Sequence, residues 1–243
     1  MRDDVRRSES PVGLIVRPAG PAETTVLYLP GDGGPHGTPE PVLDLAGRLA
    51  TRMAATVVCG RYGTSFATAL DDVRAAYEHC RASGPTVVAG ERFGAGLAAA
   101  LLLRLRDLGA EPPRCAVLVS GLLDLTLEAP SLRLNAGADP AFDAARLRRR
   151  VERYAAGADR ADPLLSPLYG NLHGLPPIRL LAAGTDPLLD DSLAFAARAA
   201  RSGVTVDLRV VQDRSLLPAE TVSGIAGFAA EWTRANGSPV PSR

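Results

Sequence analysis

Three short stretches of the chain collect residues able to move protons or hold charge, and each follows an apolar run. Pro30-Gly31-Asp32-Gly33-Gly34 follows Val26–Leu29, and His36, one of three histidines, stands four positions beyond Asp32. Gly90-Glu91-Arg92-Phe93-Gly94-Ala95-Gly96 follows Thr86–Ala89, and Gly184-Thr185-Asp186-Pro187-Leu188 follows Ile178–Ala182. A carboxylate and an imidazole on one glycine-rich loop suit proton transfer near neutral pH. Arg92 opens a run of helical period, where its guanidinium meets the positive end of the helix dipole at a cost of up to ~1 kcal/mol unless an anion answers it. Glu91, Asp186 and Asp32 are the expected partners. One reading is that Arg92 pairs with an acid and merely plugs its pocket. The other is that Arg92 and a carboxylate form a dyad that holds a substrate carboxylate or enolate while protons pass.

The elements that must position these residues alternate along the chain. Strands are expected at Val12–Val16, Thr25–Leu29, Thr56–Cys59, Thr86–Ala89, Cys115–Val119, Ile178–Ala182 and Val204–Val211. Apolar residues at three- and four-residue spacing predict helices over Pro41–Met53, Phe66–Ala82, Gly94–Leu108, Pro187–Ser202 and Ala219–Ala235. This alternation is the pattern of an α/β fold, a mostly parallel, doubly wound sheet with helices on both faces. Such sheets bind ligands beyond the carboxyl ends of their strands, where all three stretches fall. The exception is a span of about residues 127–177, which carries a basic helical segment, Phe142–Tyr154, and several prolines; it is expected to cross the sheet's carboxyl edge as a small lid on one domain covering 1–243. Met1–Ser10 and Gly237–Arg243 read as frayed ends.

Composition removes several functions. At 243 residues and 46% hydrophobic, the chain can bury a large core without disulfide or metal staples. Positive and negative residues number 27 each, which speaks against nucleic acid or a membrane surface as the main partner. Every cation is arginine, so Schiff-base chemistry on lysine is excluded, and the Arg, Ala, Gly and Pro usage is that of a high-GC genome. Cys59, Cys80 and Cys115 are isolated from one another, which predicts neither disulfide framework nor metal site and fits a reducing cytoplasm. No apolar run reaches the ~18 residues of a membrane span, and the first ten residues lack a signal-peptide core. His79 and His173 read as surface or structural residues. The Arg146-Arg148-Arg149-Arg150-Arg153 run reads as a solvated helix face, with steering of anions or contact with a carrier protein as the alternative. A homodimer is compatible with the sequence.

The loop and turn text resembles the hormone-sensitive-lipase-like esterases of the α/β-hydrolase fold. Tyr28-Leu29-Pro30-Gly31-Asp32-Gly33-Gly34 is similar to the strand and HGGG oxyanion loop of that family. Gly90-Glu91-Arg92-Phe93-Gly94-Ala95-Gly96-Leu97-Ala98 lies where the family has its GDSAGGNLA nucleophile elbow. Gly174-Leu175-Pro176-Pro177 and Asp186-Pro187-Leu188 match its GLPP lead-in and acid-bearing DPL turn. The match runs from about Val12 to Trp232. It implies a Ser-His-Asp triad, of which only the acid, Asp186, keeps its residue type: Arg92 stands at the serine position and Leu216 at the histidine position. Pro30 and Asp32 replace the histidine and second glycine of the oxyanion loop, placing an anion where one would repel the developing oxyanion. Ser65, Ser120 and Ser166 lack the strand, elbow and helix context of a nucleophile. Loss of nucleophile or base costs about 10⁶ in turnover, so acyl-enzyme hydrolysis is not expected.

Three functions stay open. The first is a repurposed enzyme performing cyclisation, dehydration or isomerisation on a small, largely apolar, natural-product-like substrate, with Asp32, His36, Arg92 and Asp186 as acting groups and no cofactor. Gly31, Gly33, Glu91, Phe93 and Leu216 are then expected to line its substrate site. The second is a non-catalytic pseudo-hydrolase that binds a ligand or partner. The third is a hydrolase in which Asp32 or His36 activates water.

Overall fold

The computed structural model describes residues 5–31, 40–139 and 142–234. Asp32, Gly33 and His36 lie outside them. Among the described residues eight strands form one sheet in the order β1-β2-β4-β3-β5-β6-β7-β8. β1 (Val5–Ser10), β2 (Gly13–Pro18) and β4 (Ala55–Gly60) are antiparallel to one another in sequence of pairing. From β4 across β3 (Thr24–Leu29), β5 (Thr86–Glu91), β6 (Ala116–Val119), β7 (Ile178–Ala183) and β8 (Val206–Val211) every pairing is parallel. The longer helices that connect the remaining parallel strands are α1 (Glu40–Met53), α2 (Phe66–Arg81), α3 (Phe93–Asp107) and α6 (Leu189–Arg201), the span between β6 and β7 is described below, and α7 (Leu217–Arg234) closes the described chain. The doubly wound α/β architecture is therefore present.

The alternating strand residues build two apolar layers. Leu27, Val58, Val88, Leu118 and Leu180 pack with α2, α3 and α6. Val26, Val57, Val87, Val117 and Leu181 pack on the other face with α1 and α7. α3 is buried along most of its length, including Ala95, Ala98, Leu101 and Leu102, as befits a helix that is apolar all round.

One expectation requires correction. Residues 5–10 are not a frayed end; they form β1, paired with β2 from Val5↔Pro18 to Ser10↔Gly13. An edge strand needs no apolar run, and Val5–Ser10 is held by its ladder, by Ser10 Oγ donating to the Gly13 carbonyl at 3.0 Å and by an Arg61–Glu9 ion pair at 2.9 Å. The basic segment is the helix α5 (Ala144–Ala155), preceded by the one-turn α4 (Ser131–Leu134). This stretch does meet the carboxyl side of the sheet. Asn135 donates to the carbonyls of Gly184 and Asp186 beyond β7, and Arg150 donates to that of Gly31 beyond β3. Among the described residues no helix is long and apolar enough to cross a membrane.

One of the tightest contacts in the fold joins β3 to α3. A Cβ on Gly94 would overlap the Leu29 carbonyl, and backbone lies on both sides of the contact. Gly94→Ala is expected to lower stability by about 1–3 kcal/mol or more, whereas Gly47→Ala, in α1 with nothing within 4 Å of its added methyl, should be neutral or stabilising by up to ~1 kcal/mol. Urea unfolding midpoints of the two variants check the contrast.

Candidate functional site

The carboxyl ends of β3, β5 and β6 meet at residue 92. β5 ends at Glu91 and α3 begins at Phe93, so the whole reversal rests on Arg92, whose φ of 49° and ψ of −115° lie outside the ordinary regions for an L-residue. Such a conformation costs on the order of 1–3 kcal/mol. It is held by Arg92 N donating to the Val119 carbonyl at 2.9 Å, and by the Arg92 carbonyl accepting from Leu122 N at 3.0 Å and Gly96 N at 3.3 Å. Close approach is possible because a Cβ on Gly90 would sit 2.5 Å from the Gly94 carbonyl oxygen. Gly31 faces the turn directly: a Cβ there would lie 2.8 Å from Arg92 Cβ and 2.9 Å from the Glu91 carbonyl oxygen.

Arg92 and Glu91 are half-buried, and Phe93 is buried. The Tyr28 hydroxyl is pushed well above its usual range by burial and, next, by the neighbouring Glu91 carboxylate. Tyr62 donates its hydroxyl to the Pro30 carbonyl and so fixes the last residue before Gly31. The void bounded by Phe93, Leu122, Leu125, Tyr154 and Leu165 measures about 10 Å³, at the lower limit of what a single water needs, so the wall behind the turn is closely packed. Ser120 follows β6 with a φ of 44°, is buried, and its hydroxyl has no hydrogen-bond partner among the described residues.

The acid turn departs from expectation. Asp186 is completely buried, and its Oδ1 accepts from Leu188 N at 2.8 Å. Its Oδ2 lies 3.5 Å from Arg214 Nε, and the same guanidinium pairs with the buried Asp139. Asp186 thus answers Arg214, not Arg92. The reason is reach: Arg214 opens the 3-10 turn Arg214–Leu216 shortly after β8, the strand paired with β7, whereas the Arg92 side chain starts, through Cβ and Cγ, against Gly31. Burial lowers the pKa of Arg214, the charge of Arg92 lowers it further and that of Glu91 raises it, which places both cations and Glu91 in one electrostatic neighbourhood.

The second departure is Arg150. The charge run groups it with Arg146, Arg148, Arg149 and Arg153 on a solvated face, yet its Nη2 donates to the Gly31 carbonyl at 2.9 Å and its guanidinium lies 4.8 Å from the centre of the Phe93 ring. Tyr154, one turn on, meets the same ring edge-on at 4.5 Å. Nearby, Asp191 on α6 accepts from Leu123 N and Asp124 N and so anchors the loop after β6; burial pushes its carboxyl up to about 7 despite those two donors.

Of the expected residues, Gly31, Glu91, Arg92 and Phe93 meet at one turn, Asp186 lies one ion pair away through Arg214, and Leu216 is about half exposed at the outer end of that 3-10 turn. His79 and His173 are exposed. Arg214, Asp139 and Arg150 were missed. Arg214 had a signal in the sequence: a buried carboxylate after β7 needs a cation, and Arg214 is the only one between Val211 and Leu217. Among the described residues no group of three or more His, Cys, Asp or Glu is placed to hold a metal ion.

A strained strand-to-helix turn over a parallel sheet, Gly31 facing it beyond β3 and a buried aspartate after β7 define the α/β-hydrolase class. Residues 26–215 match the family model described as alpha/beta hydrolase fold, and the chain belongs to this family, that of the hormone-sensitive-lipase-like esterases. It is 37% identical over 199 residues to an acetyl-hydrolase of Streptomyces hygroscopicus, covering 79% of this chain and 67% of that protein. Its structure is similar to that of a hormone-sensitive lipase from a metagenome library, with a TM-score of 0.86 and 27% identity over 94% of this chain and 86% of the other. It is equally similar to an esterase of the bacterial hormone-sensitive lipase family, with a TM-score of 0.86 and 27% identity over 95% and 85% of the two chains.

Removing the shared cation should expose what the site's ion pairs are worth. Arg214→Met leaves Asp186 and Asp139 buried without it and is expected to cost about 3 kcal/mol, at the low end for a broken buried pair because Arg214 keeps 29% of its side chain exposed. Adding Asp186→Asn should recover part of that loss, and a double-mutant cycle from denaturant unfolding measures the coupling.

Proposed function

We propose that this chain is a hydrolase-fold enzyme that has exchanged the serine-esterase reaction for recognition of a small, largely apolar molecule bearing a carboxylate or an enolisable carbonyl, which it converts by proton transfer in a cyclisation, dehydration or isomerisation. The observation that carries this reading is Arg92 at the centre of the strained turn, with φ 49° and ψ −115°. In the family this chain resembles, that position belongs to the serine whose hydroxyl attacks carbonyl carbon. A guanidinium cannot attack, and it does not shed its proton in proteins. It can hold a carboxylate or enolate oxygen through two parallel donors, at the end of a helix whose dipole favours the same anion.

The rest of the site supports the exchange. Asp186, the one triad position that keeps its residue type, faces a cation that needs no orienting and accepts no proton, so it acts as a structural counter-ion and not as a partner of a base. Leu216 stands where the histidine is expected. In this reading Asp32 and His36 move the protons, Gly31 and Gly33 give the ligand close backbone approach, and Glu91 and Phe93 flank Arg92.

A second reading draws on the names of the relatives, an acetyl-hydrolase and an esterase. It keeps hydrolysis and has Asp32 or His36 activate water directly.

One pair of measurements separates them. Benzoate, phenylacetate and isobutyrate should bind saturably to the wild-type protein by calorimetry and about ten-fold or more weakly to Arg92→Ala, the worth of a charge-assisted pair. Arg92→Lys should fall between, because a lysine cannot reproduce the two-pronged contact. Release of nitrophenolate from p-nitrophenyl acetate should stay at the buffer rate. Equal affinities in the three proteins would remove the carboxylate site, and ester turnover abolished by Asp32→Ala would establish the second reading instead.

A further inference from the structure

The strongest surface feature outside the site is the outer face of α5. Its twelve residues carry five arginines and one glutamate. Leu147, Val151, Tyr154 and Ala155 turn toward the protein, Val151, Tyr154 and Ala155 being buried, while Arg146, Arg148, Arg149 and Arg153 are exposed. Arg146, Arg149 and Arg153 recur at three and four residues, so they form one stripe about 10 Å long. Among the described residues none of these four arginines is in an ion pair; Glu152, the helix's own acid, pairs with Arg160 instead. Like charges gathered in this way repel one another; Asp143, at the start of the helix, is the acid that feels the charges of Arg149 and Arg146.

The inner border of the stripe is Arg150, which reaches the Gly31 carbonyl and covers Phe93. The exposed cations therefore sit on the same helix that roofs the strained turn. The face offers no aromatic side chain on which a base could stack, since Tyr154 is buried against Phe93. It offers no apolar side to insert into a bilayer either, because the apolar side of α5 is already spent inside the protein. What remains is an acidic protein surface, recognised through charge complementarity with little burial of apolar area.

We propose that the Arg146, Arg149 and Arg153 stripe docks an acidic carrier domain, which brings the substrate of the turn to it on a flexible arm. This rests on the proposed small-molecule site at Arg92, since a helix that roofs the site is the place from which a tethered substrate would reach it. An effective concentration set by the arm then replaces free diffusion of the substrate.

The test uses the intact protein and a purified apo acyl carrier protein, a small acidic domain, followed by fluorescence anisotropy. Saturable binding is expected, weakening steeply between about 50 and about 300 mM NaCl because the contacts are charged and exposed. It should weaken roughly ten-fold or more in the Arg146→Glu/Arg149→Glu/Arg153→Glu variant. Benzoate binding to that variant should match the wild type, which shows that it is folded and keeps the two readings apart. Absence of carrier binding, or equal binding by the variant, overturns the docking surface whatever benzoate does. Tighter binding to duplex DNA or to vesicles of phosphatidylcholine and phosphatidylserine than to the carrier overturns it as well.

Discussion

The backbones of β3, β5, β6 and α3 come together so closely around residue 92 that only glycines fit at 90 and 94, and the turn between strand and helix must take a conformation that an L-residue adopts at a cost. Three backbone hydrogen bonds to Val119, Leu122 and Gly96 meet that cost. The constraint is indifferent to the side chain it displays. Any residue at 92 is carried to the carboxyl ends of the parallel strands, next to Gly31 beyond β3. In this chain the residue so displayed is Arg92.

A cation at that point alters the electrostatics of its surroundings. Helix α3 has no acidic residue in its first turn, so the dipole and the guanidinium add to a local positive potential, with Glu91 as the adjoining acid. The buried carboxylates of the site are engaged elsewhere: Asp186 and Asp139 share Arg214. That division leaves Arg92, whose Cβ and Cγ lie against Gly31, outside the ion pair of Asp186. Arg150 adds a second guanidinium at the Gly31 carbonyl.

Much of the architecture was legible in the residues. The apolar runs of the six parallel strands and the helical period of α1, α2, α3, α6 and α7 are strong local signals, and the turns that carry Arg92 and Asp186 fall at the strand ends where the pattern puts them. β1 was not legible by the same means, since Val-Arg-Arg-Ser-Glu-Ser is an edge strand stabilised by its ladder and by polar side chains. The meeting of Gly31, Glu91, Arg92 and Phe93 followed from topology alone. The pairing of Asp186 with Arg214 did not, because it depends on which long side chain reaches a buried carboxylate first. Arg150 was hidden for a related reason: a run of arginines reads as a solvated stripe until the helix's rotation is known, and one turn of difference separates the exposed Arg146 from the inward Arg150.

The claim that the strained turn displays a cation in place of a nucleophile is tested most directly by treating the purified protein with a fluorophosphonate and weighing it intact. The account predicts an unchanged mass under conditions that label a serine esterase completely. A stoichiometric adduct mapped to any serine, Ser120 beside the turn above all, would contradict it.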